Sequence, residues 1–221
     1  MNNRYIVANA DVGALAVNKL IRNTYILLSL TLLFSAFTAA VSVFLHTPPL
    51  AYLISIAAAF ILIWFVLPRT ANSSKGLPVV FAITGLLGFS LGPILSIYLS
   101  LPNGPGIVAT ALAGTGVIFL ALSGYALTTR KDFSFMGGFL FVGLLVVLCA
   151  ALANIFLAIP ALSLALSAAV ILIMSGFILF DTSRMVHGGA GNYVVMTVSL
   201  YLNIFNIFVN LLQLLGITRE N

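Results

Sequence analysis

Acidic side chains are almost missing from this chain: among 221 residues only Asp11, Asp132, Asp181 and Glu220 carry carboxylates, and charged residues make up 6% of the total. A soluble domain carries about a quarter, so a soluble globular fold is excluded. Disorder needs low hydrophobicity with high charge, whereas 62% of this chain is hydrophobic. The single cysteine, Cys149, rules out an internal disulfide and a cysteine-based metal cluster. His46 and His187 have no neighbours at ligand spacing, so no metal site is expected. No serine has a histidine and an acid at comparable depth, which leaves an intramembrane hydrolase, and enzyme function generally, without support. The net charge of +5 does not point to nucleic acid, because the nine Lys and Arg are strung thinly between apolar runs.

What the chain has instead is length of apolar sequence. A bilayer core of roughly 30 Å needs about 20 apolar helical residues. Seven such runs extend from Thr24 to Leu45, Ala51 to Leu67, Leu77 to Leu101, Gly106 to Thr128, Phe135 to Ala158, Ala161 to about Leu179, and Tyr193 to Ile217. Pro48, Pro49, Pro68, Pro78, Pro102, Pro105 and Pro160 fall between the runs or at their ends, and only Pro93 lies inside one. Tyr25, Tyr52, Trp64, Tyr98, Tyr125 and Tyr193 lie near run ends, where amphipathic rings meet lipid headgroups. The first run is too long, and too far from the start, for a secretory signal.

Eight of the nine basic residues (Arg4, Lys19, Arg22, Arg69, Lys75, Arg130, Lys131 and Arg184) fall on one side of a seven-span topology, with Arg219 on the other. The positive-inside bias then places the N-terminus in the cytoplasm and the C-terminus outside. The expected organisation is a cytoplasmic tail over residues 1–23, a transmembrane bundle over 24–217 and an external tail over 218–221.

Small residues mark where membrane helices approach closely. Gly85, Gly88, Gly92 and Ser96 recur at three- and four-residue spacing on the third span, beside Pro93, so this helix is expected to be buried and kinked. On the last span Ser199, Asn203, Asn206, Asn210 and Gln213 recur at spacings of four and three, which confines them to an arc of roughly 80°. Facing lipid, that stripe would leave carboxamides unpaired at a cost of several kcal/mol. The seventh helix is therefore expected at the centre with six around it, its polar face either a hydrogen-bonded seam or a lining for water or an ion.

Asp181 is the one acid within a membrane-embedded segment, and such a residue is a functional candidate. Nothing breaks a helix between Thr182 and His187, and Gly188-Gly189 is a natural stop. An antiparallel return then brings Asp181 level with Ser199 and within a turn of Asn203. Desolvation and a neighbouring cation act on its ionisation in opposite senses; Arg184, three residues on, and Arg69, at the end of the second helix, are the candidate cations. Asp132, beside Arg130 and Lys131, reads as a solvated loop acid.

The segments Gly85-Leu-Leu-Gly88-Phe-Ser-Leu-Gly92-Pro93, Tyr125-Ala through Phe135-Met-Gly137-Gly138, Asn154-Ile-Phe, Phe180-Asp181-Thr182 and Leu200-Tyr-Leu-Asn203 together resemble the Bax inhibitor-1 family, from about Arg22 to Ile217. The Arg22-Asn-Thr-Tyr start and the Thr128-Thr-Arg-Lys-Asp-Phe loop look closest to its bacterial YccA branch. The resemblance implies an all-α integral membrane protein with six helices around a central seventh. It also implies a pH-sensitive latch on a calcium leak, formed in the family by an aspartate pair on the sixth and seventh helices. Asp181 matches the first aspartate, but Asn203 stands at the second position. An acid and a carboxamide cannot share a proton as two acids do, and a calcium ion there would meet one negative charge fewer. No cofactor is otherwise implied. The YccA branch implies a different role, in the bacterial inner membrane: restraint of a membrane-anchored AAA protease of FtsH type, with the N-terminal tail as a segment the protease can grip. That regulatory role is the first expectation, and the calcium or cation leak latched by Asp181 is the alternative.

Overall fold

Backbone N–H and C=O groups in hydrocarbon have no water to bond, so each apolar run closes its own hydrogen bonds as a helix. The computed structural model describes residues 2–189 and 191–217, with side chains over 15–189 and 191–216. Seven helices long and apolar enough to cross a membrane are present among the described residues. They are α1 (Asn2–Phe44), α2 (Pro49–Thr70), α3 (Gly76–Leu99), α4 (Gly104–Thr129), α5 (Met136–Leu157), α6 (Pro160–Val186) and α7 (Tyr193–Ile217). The chain is an all-α, multi-pass membrane protein.

The helix boundaries follow local chemistry. Pro49 and Pro160 begin α2 and α6, where a missing N–H costs nothing. Within α2 a π-turn at Leu62–Val66, closed by the Leu67 N–H on the Leu62 carbonyl, accommodates Pro68, which has no N–H to donate. The sixth helix ends as its sequence suggests. Gly188 takes φ +72°, its N–H bonds to the Met185 carbonyl, and the Gly189 N–H bonds to the Arg184 carbonyl at 2.9 Å. This is the paired bond pattern of a glycine-terminated helix.

The first helix starts earlier than its apolar run. It extends from Asn2 to Phe44, so residue 24 falls within a continuous helix. Nothing in the sequence between Lys19 and Thr24 breaks a helix, and long basic side chains can keep their charged ends at the interface. Tyr25 accordingly lies within the helix. The sixth helix continues past Leu179 to Val186, as the absence of a breaker before Gly188 implies. The external tail at 218–221 and the turn residue Ala190 lie outside the described residues.

The helices pack as a bundle in which α7 touches α1, α3, α4 and α6, while α2 docks mainly on α3 and α5 on α6. The closest approach is between α1 and α3. A Cβ placed on Gly88 would run into the Ser35 carbonyl oxygen and Thr38 Oγ1, and one on Gly92 into Ser42 Oγ. A Cβ on Gly85 would lie 2.7 Å from a Phe34 ring carbon. These glycines thus set the α1–α3 distance, as small residues do between membrane helices. The helix α3 continues through buried Pro93 to Leu99. Around this contact Leu28, Ile83, Leu200 and Tyr201 form the main core. Large apolar side chains such as Phe44, Phe135 and Phe156 point outward, where a bilayer would receive them.

Candidate functional site

Asp181, Thr182 and Ser183 follow one another on α6, five residues or fewer before its end at Val186. Successive residues of a helix point about 100° apart, so these three address three different neighbours. All three are buried. Each finds a hydrogen-bond partner on a different element.

Asp181 faces α7. Its Oδ2 accepts a bond from Ser199 Oγ at 2.6 Å and another from Asn203 Nδ2 at 3.0 Å. Asp181 is 4% exposed and Asn203 6%. The spacing of Ser199 and Asn203, one helical turn, puts both donors on the face turned toward α6. Thr182 faces α1 and α4: its Oγ1 lies 3.4 Å from the Tyr25 hydroxyl, which is itself hydrogen-bonded with Ser123 Oγ. Ser183 faces the connection between α4 and α5. It accepts from the Phe133 N–H at 2.9 Å and donates to the Lys131 carbonyl at 3.2 Å. The end of α6 is thereby held on three sides.

The rest of the polar stripe is distributed differently. Asn206 and Asn210 donate back to carbonyls of their own helix, at Leu202 and Asn206, each at 2.8 Å. Gln213 Oε1 accepts from Ser167 Oγ on α6 at 2.9 Å. The two ends of the stripe thus bond across to α6, at Asp181 and at Ser167, while its middle bonds within α7. A cleft of about 680 Å³ does lie beside α7, but Ile204, Phe205 and Phe208 line it together with apolar residues of α1, α3 and α4. The carboxamides and Asp181 are on another side of the helix.

Neither candidate cation hydrogen-bonds to Asp181 among the described residues, though Arg184 acts on it through charge at longer range. Arg184 sits with its guanidinium 5.5 Å from the Phe180 ring centre and donates to the Gly189 carbonyl at 3.2 Å. Arg69 is exposed and its Nη1 donates to the Phe65 carbonyl of its own helix. Both arginines sit in the last turn of a helix, where carbonyls lack partners and a positive charge is favoured. That local attraction holds each guanidinium at the end of its own helix. At the same end of the bundle Asp132 Oδ1 accepts from the Ser134 N–H at 2.8 Å. Hydrogen bonding by Ser134, with His187 nearby adding a favourable charge, lowers the Asp132 carboxyl below its ordinary value.

Two hydroxyl pairs escaped the sequence reading. One joins Tyr25 to Ser123; the other joins Ser35 to Tyr201 at 2.5 Å, beneath the α1–α3 contact. Ser35 does carry a signal, since Thr31, Ser35, Thr38 and Ser42 recur at spacings of four and three on α1 and mark its inward face.

These features define a seven-helix membrane protein whose last helix turns a polar face inward onto a buried aspartate. Residues 17–220 match the profile of the family described as inhibitor of apoptosis-promoting Bax1. The chain belongs to that family, the Bax inhibitor-1 family. It is 52% identical over 207 residues to the modulator of FtsH protease YccA of Escherichia coli K12, covering 94% of each chain. It is 49% identical to an uncharacterised membrane protein of Vibrio cholerae, over 94% of this chain and 93% of that one. An uncharacterised protein of Pseudomonas aeruginosa is 46% identical over 97% of this chain and 96% of its own.

Proposed function

We propose that this chain is an inner-membrane regulatory protein that engages a membrane-anchored AAA protease of the FtsH type and restrains its turnover of membrane proteins. The observation that carries this reading is the 52% identity, end to end, with a protein named as a modulator of that protease. The fold is compatible with it in two ways. The polar groups near Asp181 are hydrogen-bonded to neighbouring elements, which favours a firmly held bundle. The first helix begins at Asn2, ahead of the apolar run that starts at Thr24, and so provides a segment that need not be embedded. With the positive-inside orientation, that segment lies in the cytoplasm and the C-terminus outside. Affinity purification of the full chain from bacterial membranes tests the partner: an FtsH-type protease should be retained, and its absence under gentle solubilisation would overturn the proposal.

A pH-sensitive cation leak is the second reading, favoured by one observation, the buried carboxylate of Asp181 in a membrane span. Purified protein in calcium-free liposomes tests it: calcium entry that depends on pH and is changed by Asp181→Asn supports a latch, and flux unaltered by the substitution removes it.

A further inference from the structure

Two turns meet the first helix at one end of the bundle, and a cleft of about 570 Å³ with polar and apolar walls lies between them, away from Asp181. The first helix contributes Lys19 and Asn23 to it, the connection between α2 and α3 contributes Asn72 and Ser74, and the start of α7 contributes Asn192. Its floor is fixed. Asn192 Nδ2 donates to the Ala71 carbonyl at 2.9 Å and to Asn72 Oδ1 at 2.6 Å, while Asn192 Oδ1 accepts from the Val194 N–H at 2.7 Å. One side chain thus caps α7 and staples two turns together.

The remaining polar side chains are without such bonds. Lys19, Asn23 and Ser74 have no side-chain hydrogen bond to another described residue, and the Asn72 amide hydrogens stay available because its oxygen is the atom held by Asn192. Among the described lining residues Lys19 is the one that is charged, and none is a carboxylate. Of the acids whose side chains are described, Asp181 faces α7 and Asp132 bonds within its own loop. The cleft therefore offers donors and a positive charge, which suit an anion with several acceptor oxygens.

Depth identifies the source of that anion. The second span ends at Thr70, the third begins at Gly76 and the seventh at Tyr193, and the apolar run of the first helix begins at Thr24, so the cleft lies where hydrocarbon gives way to headgroups. Leu20 and Leu77 form apolar wall. A free anion held by one ammonium would exchange with water, whereas a lipid phosphate is kept at this depth by its own acyl chains. The cationic end of a zwitterionic headgroup would find no carboxylate among the described lining residues.

We propose that this cleft seats the headgroup of an anionic phospholipid. Lys19 pairs with the phosphodiester, Asn23, Asn72 and Ser74 hydrogen-bond its oxygens, and the acyl chains run along Leu20 and Leu77.

Native mass spectrometry of the full chain, released from micelles containing phosphatidylglycerol or phosphatidylcholine, tests this. The wild-type protein should retain phosphatidylglycerol about tenfold more strongly than phosphatidylcholine. A single lysine near a membrane surface typically contributes enough to make Lys19→Gln about fivefold weaker. Ser74→Leu, which fills the cleft without changing charge, should weaken retention similarly, and Lys131→Gln, outside the cleft, should not. Equal retention of the two lipids, or equal losses in Lys19→Gln and Lys131→Gln, would overturn the proposal. So would displacement of the lipid by millimolar inorganic phosphate, which would mark a site for free anions.

Discussion

Asn203 on the seventh helix donates its side-chain N–H to the Oδ2 atom of Asp181 on the sixth, at 3.0 Å, and Ser199 donates to the same oxygen at 2.6 Å. A carboxylate is thereby held by two donors one turn apart, in a place where a second acid would have to share a proton. Removing the acceptor strands both donors in the interior. Leaving a buried polar group unpaired costs about 1–3 kcal/mol. Asp181→Ala should therefore destabilise the protein by about that amount, and Asp181→Asn, which keeps an acceptor oxygen and the side-chain shape, by less. Thermal unfolding in a fixed detergent reads the difference; equal midpoints for the two variants would contradict the pairing.

The α1–α3 contact gives a sharper steric test. On Gly92 a side chain meets Ser42, whereas on Gly124 an added Cβ has nothing within 4 Å. Gly92→Val should cost about 1–3 kcal/mol by overpacking. Gly124→Ala should be neutral or stabilising, because alanine is the better helix former by up to about 1 kcal/mol. The same unfolding measurement applied to both variants checks the contrast.

Much of the fold could be read from the sequence, because a membrane span states itself in composition. The seven runs, the stop at Gly188-Gly189 and the inward polar face each follow from a local rule. The placement of Asp181 beside Ser199 and Asn203 was legible for the same reason: a short turn between two antiparallel helices leaves little freedom in register. The extension of α1 back to Asn2 was not legible, because apolar content marks where a span is embedded and says nothing of how far its helix continues. Arg69 could be offered as a candidate partner of Asp181 from charge complementarity alone, which carries no distance. Its partner is a carbonyl four residues away on its own helix. The Tyr25–Ser123 and Ser35–Tyr201 pairs join residues far apart in the chain, and nothing local announces either pairing.

Asp132 provides a pH test outside the bilayer. Its carboxyl is lowered by hydrogen bonding within its loop, so the charged form is favoured by folding. The contribution is fully present above the unfolded value of about 3.9 and disappears as pH falls through the lower folded value. A carboxyl titration of the folded protein should place Asp132 below an unstructured peptide aspartate, and Ser134→Pro, which removes the donating N–H, should move it upward. An unmoved titration would contradict the assignment.

Orientation is tested with a reporter fused after Asn221 that is active only in the cytoplasm. Eight of nine basic residues favour the N-terminal side, so the fusion should be silent and the same reporter placed before Met1 should be active. The reverse pattern would invert the topology and remove the cytoplasmic segment from reach of a cytoplasmic AAA ring.

The most direct test of function is reconstitution of an FtsH-type protease with a short-lived membrane substrate in proteoliposomes, with and without this protein. Addition of the chain should slow substrate degradation in proportion to its amount, while degradation of a soluble substrate by the same enzyme is affected less. Identical decay of the membrane substrate in both preparations, with the two proteins shown to share the same vesicles, would contradict the account.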